Sequence, residues 1–177
     1  MGINVLGPLT VDGPGRLGPH DRVVLQALAT RLGQPVSADE LVDAVWGDHP
    51  PPSAAKNLQS CVVRLRKILG TDAIETSPHG YVLTLPPDHI DAHDFEARVT
   101  RARSLLEAGE SDRVAYLLEQ ALGQWRGPAF SDLPDWPPGR RAVSHWSSPG
   151  IAPVHPTLTG TTAPRTLDRW GSTSLVR

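Results

Sequence analysis

Residues 53–70, SAAKNLQSCVVRLRKILG, decide the fold of the first half of the chain. At about 100° per residue the apolar side chains fall within one arc, which is typical of an amphipathic helix packed on a core. That arc comprises Leu58, Cys61, Val62, Leu65, Ile68 and Leu69. The basic residues Lys56, Arg64, Arg66 and Lys67 lie on the other arc, which has no acidic residue. With Ser53 as N-cap and Gly70 as terminator, we predict a helix over 53–69.

A short hairpin is predicted a few residues after this helix, over 73–85. Two β-prone runs flank the turn residues Pro78, His79 and Gly80. A basic helix followed by a hairpin suits duplex DNA, because the helix can enter the major groove while the hairpin contacts the neighbouring backbone. A solvated basic face is the plainer alternative. The single sign of charge on the helix favours DNA binding over that alternative.

Further elements are predicted before the basic helix. They are β-prone runs at 3–6 and 9–11 and helices over 21–32 and 38–46. The helix at 38–46 begins with a capping box of Ser37 and Glu40, and its charged residues are acidic. The expected fold class is therefore α+β, with a small N-terminal sheet, three helices and a terminal hairpin across residues 1–87.

These residues resemble a known family. Residues 58–70 and 80–83 (GYVL) are similar to the OmpR/PhoB-type winged helix. Residues 5–9 (VLGPL) and 37–47 narrow the resemblance to the actinobacterial antibiotic-regulatory-protein family, abbreviated SARP. The resemblance implies a winged helix-turn-helix joined to a helical bacterial transcriptional activation domain (BTAD). It also implies a sequence-specific DNA-binding transcriptional regulator that acts as an activator.

The resemblance further implies which residues contact DNA. The expected contacts are Lys56, Asn57, Gln59, Ser60, Val63, Arg64, Arg66 and Lys67 on the helix and Ser77 and His79 on the wing. Arg66 and Lys67 would meet the backbone. Three positions depart from the family pattern. Cys61 stands where a larger, ring-bearing residue is common, and Val63 stands where a polar residue is common. Ser77 stands where many relatives have an arginine that enters the minor groove. These departures predict weaker binding or an altered sequence preference.

A second, helical module is predicted over 90–134. Amphipathic patterns over 94–108 and 111–125 form a helical hairpin, which resembles the start of the TPR-like activation domain. One such pair leaves apolar surface uncovered, because stacked repeats bury a continuous core only together. Residues 137–177 are rich in Pro, Gly, Ser and Thr and lack a period. We expect a disordered tail there and a truncated or frame-altered C-terminus.

The composition agrees with an intracellular regulator. The net charge is −2, the single cysteine cannot form an internal disulfide, and no apolar run approaches the length of a membrane span, ~20 residues. We therefore expect a cytoplasmic protein without membrane contact. The expected partners are double-stranded promoter DNA and, from the resemblance, RNA polymerase, and a homodimer on direct repeats is a further expectation. No cofactor is expected.

Two other function classes compete with this prediction. In a helix, His89 and His93 would lie one turn apart, which is a common way to hold zinc. The segment links two modules and lacks the glutamate of a His-Glu-x-x-His motif, so a linker role is favoured and no enzyme activity is expected. The other rival is a truncated interaction fragment, which dimerises with full-length relatives and binds DNA weakly.

Overall fold

The computed structural model describes residues 2–13, 15–133 and 136. In chain order the elements are β1 Ile3–Asn4, β2 Thr10–Val11, α1 Pro19–Ala29, α2 Ala38–Trp46, α3 Ala54–Leu69, β3 Ile74–Ser77, β4 Gly80–Leu83, α4 Asp91–Glu107 and α5 Ser111–Leu122. Short 3-10 turns over Thr71–Ala73 and Pro87–His89 precede β3 and α4. The architecture is the predicted α+β winged helix-turn-helix followed by a helical hairpin. The predicted tail, 137–177, lies outside the described residues.

The local signals in the sequence place the ends of α2 and α3. The Glu40 N–H donates to Ser37 Oγ at 3.1 Å and the Ser37 N–H donates to the Glu40 carboxylate at 3.1 Å, which forms the predicted capping box. α3 ends at Leu69, and the next residue, Gly70, has a φ of 105°, which favours glycine. The Ser53 hydroxyl does not cap α3 and instead accepts a hydrogen bond from the Asn57 side chain at 3.1 Å.

The other helix bounds differ from the prediction. α1 begins at Pro19, because a proline without an N–H suits the first helical turn, and it ends at Ala29. The Arg31 N–H then donates to the Leu28 carbonyl at 3.1 Å in a turn, so the predicted continuation to residue 32 is wrong. α4 begins at Asp91, earlier than the predicted residue 94, and α5 ends at Leu122, earlier than residue 125.

The strands form two antiparallel ribbons, β1-β2 and β3-β4. In the second ribbon Ser77 pairs with Gly80, so the turn consists of Pro78 and His79, and Gly80, predicted as the third turn residue, begins β4. Val36 exchanges two backbone hydrogen bonds of 2.9 Å with Tyr81, which joins the α1-α2 connection to the hairpin. The hairpin is therefore fixed to the helices along β4.

One continuous core joins the two halves of the chain. The first half contributes residues of all three helices, among them Val24, Leu25, Leu28, Leu41, Leu58, Val62 and Leu65. The second half contributes Ile90, Ala92, Phe95, Ala121, Ala129, Phe130 and Trp136. All of these side chains are buried. The predicted inner face of α3 is confirmed, since Leu58, Cys61, Val62, Leu65 and Leu69 are buried and Ile68 packs against the core.

Asp91 connects the second half to the N-terminal sheet. One of its carboxylate oxygens accepts from the Val5 N–H at 2.7 Å and the other from the Leu6 N–H at 3.1 Å. The carbonyl of Leu6 accepts from the Arg126 N–H at 2.7 Å, and that of Val5 from the Phe130 N–H at 2.7 Å. The predicted strand at 3–6 is short for this reason: beyond Asn4 its backbone groups bond to the second half instead of to β2.

The helical hairpin leaves part of its apolar surface in solvent, as expected for a single pair. Leu106 is 54% exposed, Tyr116 64% and Leu122 46%. The amphipathic patterns over 94–108 and 111–125 predict that Leu106 and Leu122 face inward, and both predictions are wrong. Phe95, Ala102 and Ala121 carry the buried contacts of this hairpin, and the Phe95 and Trp125 rings pack edge to face at 5.6 Å.

Candidate nucleic-acid interface

Most residues predicted to contact DNA form one solvent-facing surface of α3. This exposed face of α3 consists of Lys56, Asn57, Gln59, Ser60, Val63 and Lys67. Val63 is 50% exposed, although it is apolar and lies on a helix with a well-packed inner face. An exposed apolar side chain amid polar ones suits a surface that contacts the apolar edge of a base, such as a thymine methyl group.

The polar groups on this face fall into two sets. The Asn57 amide donates to Ser53 Oγ at 3.1 Å and the Ser60 hydroxyl donates to the Lys56 carbonyl at 3.0 Å, so both have local partners. The side chains of Lys56, Gln59 and Lys67 form no hydrogen bond or ion pair within the described part of the chain. These three side chains are therefore available to a partner without breaking a bond.

Arg64 has a different environment, because its guanidinium is bound to Asp21 of α1. Nη2 donates to Asp21 Oδ1 at 2.7 Å, and Nε lies 3.1 and 3.0 Å from Oδ1 and Oδ2. Nη2 also lies 3.1 Å from Cys61 Sγ. The Asp21 side chain is 3% exposed and the Arg64 side chain 50%. Arg64 thus lies at the edge of α3, with one side of its guanidinium on a buried carboxylate and the rest in solvent.

The charges of this cluster stabilise one another. Burial raises the pKa of Asp21, but hydrogen bonds from Arg64, Cys61 and Gly18 outweigh it and the pKa falls below its ordinary value. The hydrogen bond to Asp21 raises the pKa of Arg64. Burial raises the pKa of the Cys61 thiol to about 11. At neutral pH the cluster is therefore a carboxylate, a guanidinium and a neutral thiol.

Arg66 holds the hairpin instead of facing solvent. Its Nε donates to the Ile74 carbonyl at 2.8 Å and its Nη2 donates to Thr76 Oγ1 at 2.9 Å. Sequence reasoning placed Arg66 beside Lys67 on the DNA backbone. In the structure two of its three guanidinium nitrogens are bound to β3, so the residue joins α3 to the wing.

The wing places its two predicted contact residues differently. The Ser77 hydroxyl donates to the Gly80 carbonyl at 3.1 Å and accepts from the His79 N–H at 3.2 Å, so it shapes the turn. The His79 side chain is exposed at the tip. Of the two, His79 has the side chain that is free to approach a neighbouring molecule.

A depression of about 320 Å³ adjoins Arg64 at the start of α1. It is lined by Arg16, Gly18, Pro19, His20, Asp21 and Arg64. The His20 ring packs edge to face on Trp46 at 5.1 Å, which links this corner to the end of α2. Because Arg16 and Arg64 line the same depression, positive charge extends from α3 to the segment just before α1.

The histidine segment has two elements instead of one helix. His89 ends a 3-10 turn and His93 lies in α4, where its Nε2 is 3.2 Å from the Ala29 carbonyl. Within 2–13, 15–133 and 136, no three His, Cys, Asp or Glu side chains are grouped to hold a metal ion. In the same residues no helix is long and apolar enough to cross a membrane.

Three important carboxylates were missed by the sequence reasoning: Asp21, Asp91 and Asp132. Asp132 binds the Arg22 guanidinium at 2.9 and 3.1 Å, the Gln26 amide at 2.9 Å and the Leu9 N–H at 3.0 Å. Asp21 carries one local signal, since it follows Gly18 at the spacing of an N-terminal cap and accepts its N–H at 3.1 Å. The bonds of Asp91 to Val5 and Leu6, and that of Asp132 to Leu9, have no sequence signal, because these partners lie more than 80 residues away.

Two family descriptions match the chain. "Transcriptional regulatory protein, C terminal" matches residues 12–83, and "Bacterial transcriptional activator domain" matches residues 90–155. The first covers the helices and wing described above. The second begins at Ile90 and continues beyond Trp136, the last residue that the structure describes.

Several transcriptional regulators are similar to this chain in sequence. Transcriptional regulatory protein EmbR of Mycobacterium tuberculosis is 36% identical over 146 residues, which are 77% of this chain and 38% of EmbR. Regulatory protein AfsR of Streptomyces griseus is 34% identical over 137 residues, 73% of this chain and 14% of AfsR. A solved structure of M. tuberculosis EmbR, in complex with a low-affinity phosphopeptide, matches with a TM-score of 0.73 at 33% identity, over 81% of this chain and 41% of that one. The chain thus spans less than half the length of these relatives.

An OmpR/PhoB-type winged helix followed by a transcriptional activator domain defines a class of DNA-binding transcriptional regulators. Within that class, the chain belongs to the actinobacterial antibiotic-regulatory-protein (SARP) family. The family resemblance drawn from the sequence is confirmed.

Proposed function

We propose that this chain is a sequence-specific transcriptional activator, which reads promoter DNA with α3 in the major groove and the β3-β4 wing on the adjacent backbone. The exposed face of α3 is the observation that supports this most. Its inner side is locked in the core, while Lys56, Gln59 and Lys67 reach solvent without a partner in the described chain. Cationic and amide side chains on one helix face match the needs of phosphate contact and base-edge recognition.

The contacts divide by chemistry. We assign phosphate contacts to Lys56 and Lys67, because a flexible ammonium neutralises charge without reading sequence. The remaining exposed residues, Asn57, Gln59, Ser60 and Val63, are assigned to base edges, together with Arg64 at the border of the face. On the wing, the His79 side chain contacts the DNA backbone, and Ser77 fixes the shape of the turn that carries it. Arg66 acts on the DNA indirectly, by holding the wing against α3.

We further propose that residues 1–87 form the DNA-binding module and that 90–134 form part of the activation module. RNA polymerase is the proposed partner of the activation module, and two copies on direct repeats are the proposed arrangement on a promoter. The packing of Phe130 and Trp136 into the common core supports a fixed orientation between the modules. Such an orientation would direct a polymerase-binding surface relative to the bound promoter.

A selection of bound fragments from random duplex DNA tests the proposal. The chain should enrich one motif, and electrophoretic shifts on that motif should then separate the assigned roles. Lys67→Ala should weaken binding about equally for selected and unrelated DNA, and reduce the slope of log affinity against log salt by roughly 0.9. Gln59→Ala should weaken binding to the selected motif and leave binding to unrelated DNA unchanged. Arg64→Ala should reduce specific binding by more than ~1 kcal/mol.

Arg101→Ala is the matched control, because Arg101 is an exposed basic residue on α4, away from α3. It should leave the affinity and the salt slope unchanged. A selection without an enriched motif would contradict sequence-specific binding. Equal losses from Lys67→Ala and Arg101→Ala would contradict the placement of DNA on α3.

A second candidate function is supported by the uncovered apolar surface of the helical hairpin. Leu106, Tyr116 and Leu122 are exposed, as expected of a fragment that pairs with a full-length relative. Light scattering with and without the selected DNA distinguishes the two functions. A stable dimer that never retards DNA, and that Leu122→Ser dissociates, would favour the interaction fragment.

A further inference from the structure

We infer that Asp21 and Cys61 are positioning residues, which fix the guanidinium of Arg64 for a single base-edge contact in the major groove. This inference rests on the proposed function, because it assumes that α3 reads DNA. It concerns α1 and the inner edge of α3, neither of which faces the proposed DNA surface directly.

Asp21 and Cys61 both contact the same edge of the Arg64 guanidinium. Asp21 binds the Nε and Nη2 side, with a shortest distance of 2.7 Å, and Cys61 Sγ lies 3.1 Å from Nη2. A planar guanidinium held along one edge by a carboxylate has its plane fixed.

The orientation leaves one end of Arg64 available. The hydrogen bonds of the guanidinium to described residues come from Nε and Nη2, so the two N–H donors of Nη1 remain for a partner. Half of the side chain is already in solvent, so contact with DNA requires no release from Asp21. A pre-oriented arginine loses less side-chain entropy on binding than a free one, and it can reach only those base edges that lie in its plane.

The surroundings of Asp21 keep this arrangement fixed. Oδ2 accepts from the Gly18 N–H at 3.1 Å at the start of α1. The next residue, Arg22, binds the Leu9 carbonyl at 2.9 Å and Asp132 at 2.9 Å. α1 is thus attached on one side to the N-terminal sheet and to the segment after α5, and on the other side to α3. The helix that carries this carboxylate is therefore attached to both halves of the chain.

Base preference measured one position at a time tests the inference. The motif enriched from random duplex DNA is varied at each base pair, and affinities are measured for the full chain and its variants. Arg64→Ala should abolish the preference at one base pair. Asp21→Asn should lower the preference at that same base pair about tenfold, which lies within the range of about 5- to 150-fold by which a good arginine–base contact discriminates. The double variant should behave like Arg64→Ala alone.

Cys61→Ala supplies a second variant, because it removes the sulfur contact to Nη2 and leaves Asp21 in place. We expect it to lower the same preference by about threefold, in line with the weaker contact of a sulfur acceptor. Lys67→Ala serves as the comparison, since a phosphate contact should change all affinities equally and no single preference.

The outcomes separate the inference from the proposed function. If Arg64→Ala leaves every preference intact, the proposed role of Arg64 fails. If Arg64→Ala removes one preference while Asp21→Asn and Cys61→Ala preserve it, the positioning role is overturned and DNA reading stands. A uniform rise in affinity on Asp21→Asn, with a steeper salt dependence, would also overturn it, because Asp21 would then withhold Arg64 from DNA.

Discussion

Arg66 and Lys67 are neighbours with the same charge, yet they have different surroundings. Lys67 is exposed, whereas the Arg66 guanidinium binds the Ile74 carbonyl at 2.8 Å and Thr76 Oγ1 at 2.9 Å. On a helix, consecutive residues point about 100° apart, so one faces solvent and the other meets the wing. The angular position of a basic residue around α3 therefore decides whether its side chain faces solvent or binds the wing.

Replacing these two residues should separate stability from DNA affinity. We expect Arg66→Ala to lower the free energy of unfolding by about 1–2 kcal/mol, because it removes two hydrogen bonds between α3 and β3. Lys67→Ala should change it by less than about 0.5 kcal/mol, as for other exposed surface residues. Urea unfolding followed by circular dichroism measures both. Equal stability of the two variants would contradict the bridging role of Arg66.

Two partly buried ion pairs, Arg64–Asp21 and Arg22–Asp132, should make the stability of the fold sensitive to acid. Burial raises the pKa of Asp21 and of Asp132, but hydrogen bonds from Arg64 and Arg22 outweigh it, so both values lie below the ordinary one. A carboxyl group with a lowered folded-state pKa binds fewer protons in the folded than in the unfolded chain. Its stabilisation is complete above the unfolded pKa of about 4 and is lost as the pH falls through the folded value.

The pH dependence can be assigned to Asp132 with one variant. At pH 7 Asp132→Asn should be about 2 kcal/mol less stable than the wild type, because it loses charge-assisted bonds to Arg22. This difference should shrink as the pH falls below about 4, where the wild-type carboxylate becomes protonated. Urea titrations of both proteins from pH 7 to 3 provide the measurement. Because other carboxylates are common to both proteins, a difference independent of pH would show that the charge of Asp132 is unimportant.

At the scale of elements, the helices with strong local signals were predicted well. α2 has the predicted bounds, since Ser37 and Glu40 form the capping box that starts it. α3 starts one residue after the predicted position and ends where predicted. The short strands were predicted less well, because the length of a strand depends on which backbone groups find partners in the sheet. The backbone groups of Val5 and Leu6 bond to the second half of the chain, so they do not extend β1.

The wing depends on a glycine at the start of β4. Gly80 has a φ of 131°, and a Cβ at this position would overlap the Val36 carbonyl, which is bonded to Tyr81. We expect Gly80→Ala to lower the free energy of unfolding by at least about 2 kcal/mol, from backbone strain and the lost pairing of the hairpin with residue 36. DNA affinity should fall with it, since the wing would be displaced from α3.

Gly33→Ala is the matched control for this substitution. Gly33 has a φ of 73°, but no atom lies within 4 Å of an added Cβ. Only the left-handed backbone strain remains, which costs about 1 kcal/mol. Thermal unfolding of the two variants should rank Gly80→Ala as clearly less stable. A similar loss of stability in both variants would contradict this expectation, because the backbone near Val36 would then move away from the added Cβ at little cost.

At the scale of the whole molecule, the two family modules share one core. Phe130 is buried after α5, and its N–H donates to the Val5 carbonyl at 2.7 Å. We expect Phe130→Ala to lower the free energy of unfolding by about 3–4 kcal/mol, as for other large-to-small core substitutions. Because the core is continuous, calorimetry should show one transition that moves as a whole.

Tyr116→Ala is the control for this experiment, because Tyr116 is the most exposed of the large apolar residues on the hairpin. Its unfolding free energy should stay within about 0.5 kcal/mol of the wild type. If Phe130→Ala melted α4 and α5 early and left the winged helix unchanged, the modules would be independent and the shared core unimportant for their orientation.

The sequence by itself determined the fold class, the order of the helices, the inner face of α3 and the family. Each depends on a signal within a few residues, such as a capping box, a helical period or a turn. The tertiary structure alone decided that Arg64 binds Asp21, that Arg66 holds the wing and that Asp91 and Asp132 join the two halves. The Asp21–Arg64 pair spans 43 residues and the Arg22–Asp132 pair 110. At such separations the partner of a charged side chain is chosen by the packing of the core, which no local pattern of residues encodes.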